Sequence, residues 1–248
     1  MKYIHFLCVL ALLSSCKKEH QNLTKITAKN IAIDTSITAS KEINSLINPY
    51  KEELTGDMKE PLTFTPIVLT KENSNKQSVL GNLLADLCME MANPVYQKTT
   101  NTNIDFALFN SGGIRAIIPQ GVVTKEHAFK VMPFENELVA VTLSGAKIEE
   151  LLHYFIKTKA AHPLSKNINL TISDDAYALK INGTPFDTNK NYTVLTTDYL
   201  QGGGDRMNFF KDPVKLTVLD YKMRDAIIDY FKKVDTLQTA IDNRIKLQ

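Results

Sequence analysis

The chain has 248 residues, of which 44% are hydrophobic and 23% are charged, and its formal net charge is +2. That near balance, with no basic stripe interleaved with aromatics, excludes a nucleic acid polymer as the expected partner. The length suits one domain with a substantial core, and no internal repeat breaks it up.

Lys2 opens the chain, an apolar run follows over residues 3–13, and Leu13-Ser14-Ser15-Cys16 closes it. The run is too short for a transmembrane helix, which needs roughly 20 apolar residues. It reads as a signal peptide over residues 1–15, and the ending resembles a bacterial lipoprotein box in which Cys16 takes the lipid. An ordinary secretory signal with an incidental cysteine is the alternative, and either places the mature chain outside the cytoplasm, in the cell envelope. Residues 16–43, rich in Lys, Asn, Thr and Ser, read as a tether, and residues 44–248 as the domain. With Cys8 and Cys16 assigned to the leader, Cys88 remains alone, so no disulfide is expected and Cys88 reads as a core residue.

Leu80, Leu83, Leu84 and Leu87 recur at helical spacing and predict a helix over 79–91 with one buried face. Residues 104–109 read as a buried strand that delivers Asn110 and Arg115 from its end. Residues 138–143 alternate poorly but are rich in Val and Leu, and read as a strand. A helix then starts at residues 144–147, with Ile148, Leu151, Leu152, Phe155 and Ile156 inward. Residues 168–172 and 177–181 form an expected hairpin, with a turn at Asn182-Gly183 after it. Residues 192–197 and 214–219 are predicted strands, and residues 221–234 an amphipathic helix with Ala226, Ile227, Tyr230 and Phe231 inward. Strands and helices mix without regular βαβ alternation, which predicts an α/β (mixed α+β) domain built on a mixed β-sheet.

Two glycine clusters carry the chemistry. Asn110-Ser111-Gly112-Gly113-Ile114-Arg115 sets a short amide and a guanidinium on either side of two glycines. Tyr199-Leu200-Gln201-Gly202-Gly203-Gly204-Asp205 offers an aromatic face and a carboxylate. Glycine lets backbone approach a ligand, arginine presents a planar fork to oxygens, a carboxylate accepts from a sugar diol, and an aromatic ring stacks on a base. Together they sketch a nucleoside or nucleotide pocket. Each has a plainer reading alone: Tyr199 a structural aromatic, Asp205 a turn residue, Arg115 a surface charge, and Phe134 core packing.

Residues 76–86, the stretch Asn110-Ser111-Gly112-Gly113-Ile114-Arg115, then Met132-Pro133-Phe134-Glu135-Asn136 and Gly203-Gly204-Asp205 resemble, in order and spacing, the C-terminal domain of the 5'-nucleotidase family. The resemblance runs from about Asn48 to Arg244. It implies a substrate-binding domain in which Phe134 and Tyr199 sandwich the base, Asn110 lies near it, Gly113 lines the loop, and Arg115 and Asp205 hold the ribose and phosphate side. Lys76 stands where the family usually has arginine, and would keep the charge at that corner without the bidentate fork. Tyr199 replaces the usual phenylalanine and keeps the stacking face.

In that family a separate metallophosphatase domain holds two metal ions and the attacking water. Here His20, His127, His153 and His162 fall in no metal-binding arrangement, and Gly204-Asp205-Arg206-Met207-Asn208 imitates a metal motif without companion ligands. His153 reads as a boundary residue on its helix and His162 as a loop residue, while Ser111 has no histidine near it in sequence. No cofactor and no catalytic residue is therefore expected in this chain, with divalent metals only on a partner metallophosphatase. Three functions compete: a lipid-anchored nucleotide-recognition domain working with such a partner, an envelope nucleoside- or nucleotide-binding protein, and a scaffold without ligand.

Overall fold

A computed structural model describes residues 23–173 and 176–248, and the chain divides into two compact units at Asn48 and Pro49. The expected signal peptide, Cys16 and the first part of the expected tether lie outside the described residues, as do Asp174 and Asp175 of the expected hairpin turn. In the first unit the backbone is irregular until helix α1 (Lys41–Met58) begins; no residue of that helix is buried. No helix among the described residues is long and apolar enough to cross a membrane.

The second unit is built around a four-stranded sheet that is apolar on both faces. Its order is β2 (Phe106–Ala107), β8 (Asn191–Thr197), β4 (Glu137–Ser144), β9 (Lys215–Lys222). On β4, Val139, Val141 and Leu143 enter one core cluster while Leu138 and Ala140 enter the other. Burial on both sides removes any need for polar alternation, which is why this strand reads as a continuous apolar run. One face is covered by α2 (Val79–Thr100) and α6 (Met223–Lys233), through Leu80, Leu84, Leu87, Ile227 and Phe231. The other is covered by α4 (Gly145–Lys157) and by a second sheet, ordered β10 (Ile245–Leu247), β5 (Ile168–Ser173), β6 (Ala176–Ile181), β7 (Thr184–Pro185). Cys88 is fully buried on α2, and burial pushes its thiol well above the ordinary range, so it serves as a core residue.

Both sheets are mixed. β2 runs parallel to β8 while β4 pairs antiparallel with β8 and β9, and β10 runs parallel to β5 while β5 and β6 pair antiparallel. The parallel neighbours matter most for function. Because β2 and β8 point the same way, the loops leaving their carboxyl ends, one carrying Asn110 to Arg115 and the other Tyr199 to Asp205, emerge at the same edge of the sheet.

Several boundaries differ from the sequence expectation, each for a local reason. Helix α2 starts as predicted, with the Ser78 hydroxyl accepting from the Gly81 amide at 3.1 Å, but it runs to Thr100 through Pro94. Pro94 is exposed, so the Glu90 carbonyl that loses its partner is left to water, while buried Ala92 and Tyr96 hold the helix to the core on either side. The strand expected over 104–109 is regular only over Phe106–Ala107; the flanking Asp105 and Leu108 amides still donate to Thr193 and Leu195 of β8, while the Phe109 amide turns away to the Pro163 carbonyl. Strand β9 continues to Lys222 and delays the last helix to Met223. The ribbon of β1 (Pro61–Thr65) with β3 (Gly121–Thr124) and the short α3 (Lys125–Val131) have no counterpart in the sequence reading.

At the junction of β4 and α4 the chain has no room for a side chain. A Cβ on Gly145 would overlap the Thr188 carbonyl, a backbone atom that cannot swing away. Gly145→Ala is therefore expected to lower stability by about 1–3 kcal/mol. Calorimetry on the purified domain would show this as a melting temperature several degrees down; an unchanged value would refute it.

Candidate functional site

Asn110, Gly112, Gly113, Arg115, Phe134, Asn136, Tyr199 and Asp205 line one cleft of about 290 Å³. Six of the seven substrate-binding residues expected from sequence, all but Lys76, thus meet in one place.

The first glycine loop leaves β2 as a short 3₁₀ turn, Ser111–Gly113, with Arg115 following it. Its backbone is tied from below, the Arg115 amide donating to the Val131 carbonyl at 2.9 Å. The exposed guanidinium donates to the Gly112 carbonyl at 3.3 Å and lies 5.9 Å from the centre of the Phe134 ring. The second loop leaves β8 through the one-turn helix α5 (Asp198–Gln201), capped by the Thr197 hydroxyl. It then turns at Gly203, whose φ of 91° lies in the left-handed region that suits glycine. At Gly204 a Cβ would collide with the Tyr199 ring, so the loop's third glycine lets that ring lie flat on the backbone.

Asp205 joins the two loops. Its Oδ2 accepts from Asn110 Nδ2 at 2.7 Å and its Oδ1 accepts from the Tyr199 hydroxyl at 3.0 Å. The carboxylate is thereby fixed in direction, and each oxygen keeps a lone pair free for a further donor such as a ribose hydroxyl. Phe134 and Tyr199 are 41% and 47% exposed, large apolar faces left to water within one cleft. Exposed aromatics flanking oriented polar groups are the arrangement a planar, hydrogen-bonding ligand requires.

The Phe134 segment is held from the opposite side. Arg224, on α6 and 6% exposed, donates to the carbonyls of Phe134 at 3.2 Å and Met132 at 3.5 Å and pairs with Glu135, its guanidinium lying 4.3 Å from the Phe129 ring centre. Hydrogen bonds from Lys222 and Arg224 hold the Glu135 carboxyl down at about 2. The sequence reading assigned no role to Arg224, nor to Asn136, which completes the cleft.

Lys76 does not join the others, and its expected place at the ligand is corrected. Its Nζ donates to the carbonyls of Phe155, Ile156 and Thr158 at 3.3, 2.9 and 2.5 Å, closing the C-terminus of α4. Unpaired carbonyls and the negative end of the helix dipole attract an ammonium there more strongly than an open cleft does. The loop expectation for His162 holds only for its backbone. The side chain is 6% exposed, its Nδ1 accepts from the Ser111 amide at 3.1 Å, and burial pushes the imidazole down to about 4, with Lys76 assisting and Asp205 opposing. His153, in contrast, is exposed and meets Tyr177 edge-on at 6.2 Å.

The cleft does not fit a metal pair. Asp205 is the one carboxylate among the cleft-lining residues, and among the described residues no three His, Cys, Asp or Glu side chains gather to hold an ion. A larger open groove of about 550 Å³ beside α2 is lined by Asp86, Glu90, Asn93, Asn103 and Lys166 among others. Asn93 there donates to Asn103 and accepts from the Ile104 amide, and no aromatic lines the groove.

With this geometry in place, a sequence profile of the 5'-nucleotidase C-terminal domain matches residues 56–212. The chain belongs to that family. Relatives of this 5'-nucleotidase C-terminal domain include the cell wall protein Lmo0130 of Listeria monocytogenes, 28% identical over 79% of this chain and 27% of that protein. The trifunctional nucleotide phosphoesterase YfkN of Bacillus subtilis is 26% identical over 87% of this chain and 16% of its own length. Among solved structures, a 5'-nucleotidase precursor from Thermus thermophilus superposes with a TM-score of 0.66 at 21% identity, over 82% of this chain and 42% of that one. The NAD nucleotidase of Haemophilus influenzae gives 0.59 at 19% identity, over 84% and 41%. These two likenesses bear on the fold alone. The chain spans less than half the length of each of the four.

Proposed function

We propose that this domain recognises a nucleoside or nucleotide in the cleft between its two glycine loops and presents the 5'-phosphate to a metallophosphatase carried on another polypeptide. The base lies between Phe134 and Tyr199, and Asn110 and Asn136 reach its edge. Asp205 takes the ribose hydroxyls and Arg115 the phosphate side. The single observation that supports this most is the Asp205 carboxylate, aimed by Asn110 and Tyr199 between two exposed aromatic rings. Recognition and hydrolysis are divided because the cleft offers orientation and stacking and no group placed to activate water. The domain sits in the cell envelope, lipid-anchored through Cys16, a place that suits a chain with a cell wall protein among its relatives.

One observation favours a second reading. Lys76 is engaged at the end of α4, so among the cleft-lining residues Arg115 is the one cation, balanced by Asp205. A charge-neutral cleft suits capture of an uncharged nucleoside without any hydrolase partner.

Calorimetric titration with adenosine and AMP tests both readings. Phe134→Ala is expected to weaken binding by ~1–3 kcal/mol, the usual worth of a base stacked on an aromatic ring. Phosphate release from AMP is then measured for the chain alone and with an added metallophosphatase. Metal-dependent hydrolysis by the chain alone would overturn the division of labour, adenosine binding without stimulated hydrolysis supports capture, and no heat with either ligand leaves only a scaffold.

A further inference from the structure

Beneath the cleft lies a buried histidine that the proposed recognition does not use. His162 sits in the segment between α4 and β5, and its two ring nitrogens have different tasks. Nδ1 accepts from the Ser111 amide at 3.1 Å, so the ring proton resides on Nε2. Nε2 stands 3.5 Å from the Tyr154 hydroxyl, and that hydroxyl donates to the Asp205 carbonyl at 3.0 Å. The rings of Tyr154 and His162 stack with centroids 5.6 Å apart and planes 28° from parallel, and the Phe209 ring meets that of Tyr154 at 5.5 Å with a tilt of 59°.

The polar groups therefore follow one another in a single direction. The Ser111 amide gives to the imidazole, the imidazole faces the phenol, and the phenol gives to the Asp205 carbonyl. Its two ends are the first residue of the 3₁₀ turn in one glycine loop and the carboxylate residue of the other. Asp205 is also a residue that needs holding: its φ of 51° and that of Arg206 at 63° put two consecutive non-glycine residues in the left-handed region. A hydroxyl fastened to the carbonyl between them stabilises that turn.

We infer that Tyr154 and His162 are positioning residues of the cleft, a strut that holds the two glycine loops at the spacing and orientation a nucleoside requires. The inference rests on the reading of the cleft given above, and it concerns residues that touch no ligand. They act through the Ser111 amide and the Asp205 carbonyl.

The test uses the full chain, adenosine as probe, and three variants. His162→Ala removes the acceptor, and adenosine affinity is expected to fall at least about tenfold. His162→Asn places an amide oxygen close to where Nδ1 stood, and affinity is expected to return to within about threefold of the parent. Tyr154→Phe keeps the stacked ring but frees the Asp205 carbonyl, for an expected loss of about three- to tenfold. Amide resonances of the unliganded proteins are recorded alongside. Neither residue-162 variant has a ring current or reaches Tyr154, so any difference between them at 203–205 reports the acceptor on the Ser111 amide, felt at Asp205 through its hydrogen bond from Asn110.

A folded His162→Ala that binds like the parent overturns the strut, and so do Ala and Asn variants that are equally weak. Should the parent itself bind no adenosine, the recognition reading fails instead. The amide resonances alone then decide: changes that reach 203–205 in His162→Ala and revert in His162→Asn support the strut, and changes confined to the surroundings of residue 162 refute it.

Discussion

Arg244→Ala is expected to lower the unfolding free energy by about 3–5 kcal/mol, the cost of removing one member of a buried charge cluster. Arg244 is 4% exposed, and its fork is filled on every side. Nη1 donates to the Leu164 carbonyl at 2.7 Å, Nη2 to Asp86 at 2.8 Å and Asp242 at 2.7 Å, and Nε to Asp242 at 2.9 Å. Truncation leaves the buried Leu164 carbonyl without a partner and takes both guanidinium bonds from Asp86, whose side chain is 24% exposed. Two features hold the effect nearer the lower figure: the Lys166 amide still donates to Asp86 at 2.7 Å, and the Asp242 side chain is 41% exposed and rehydrates. Denaturant unfolding checks the prediction, which fails if the variant comes within about 1 kcal/mol of the parent. Asp242→Ala, touching the wetter partner, is expected to cost less than Arg244→Ala in the same measurement.

The contrast between Arg244 and Arg115 explains what was legible in the sequence. Arg115 belongs to a glycine motif and Arg244 to none, yet it is the second that is buried and the first that is exposed. What sequence shows well is set by neighbours within a few residues. The strand ends that lead into the two glycine clusters, the leucine spacing of α2 and the apolar run of β4 are of this kind. What it hides is set by chain that arrives from far away. Lys76 carries the charge expected of a ligand group, but the carbonyls that claim it belong to Phe155, Ile156 and Thr158 at the end of α4. His162 next to a proline has no local mark of importance, and its partner Ser111 lies 51 residues away. Strand β1 begins with a proline and leaves Phe64 42% exposed, so its two-stranded ribbon gives no clean alternation. The cleft was legible because its parts are loop motifs, whereas the groups that brace it are single residues placed by packing.

Lowering the pH from neutrality to about 4 is expected to remove about 3 kcal/mol of stability through His162 alone, from a shift of roughly two and a half units at 1.36 kcal/mol each. In the unfolded chain this imidazole takes up its proton near 6.5, whereas in the fold it does so only near 4, chiefly because it is buried. Between those values the unfolded state binds more protons, so the unfolding free energy falls as the pH drops. Above 6.5 both states hold a neutral ring and the contribution is constant. Asp205 favours the proton and Lys76 opposes it, and the Ser111 amide aimed at Nδ1 excludes a second ring N–H unless the loop gives way. His127, also lowered by burial, adds a slope of the same sign, and Glu135 adds its own as the pH falls from about 4.5 toward 2; both are present in parent and variant alike. The difference between parent and His162→Asn therefore isolates the buried ring. Unfolding curves of the two proteins should converge in relative stability as the solution is acidified from 7 to 4, and a His162 titration by NMR should find its midpoint near 4. Parallel pH profiles, or a midpoint near 6.5, would show that the ring is free to take its proton and is not locked between the two glycine loops.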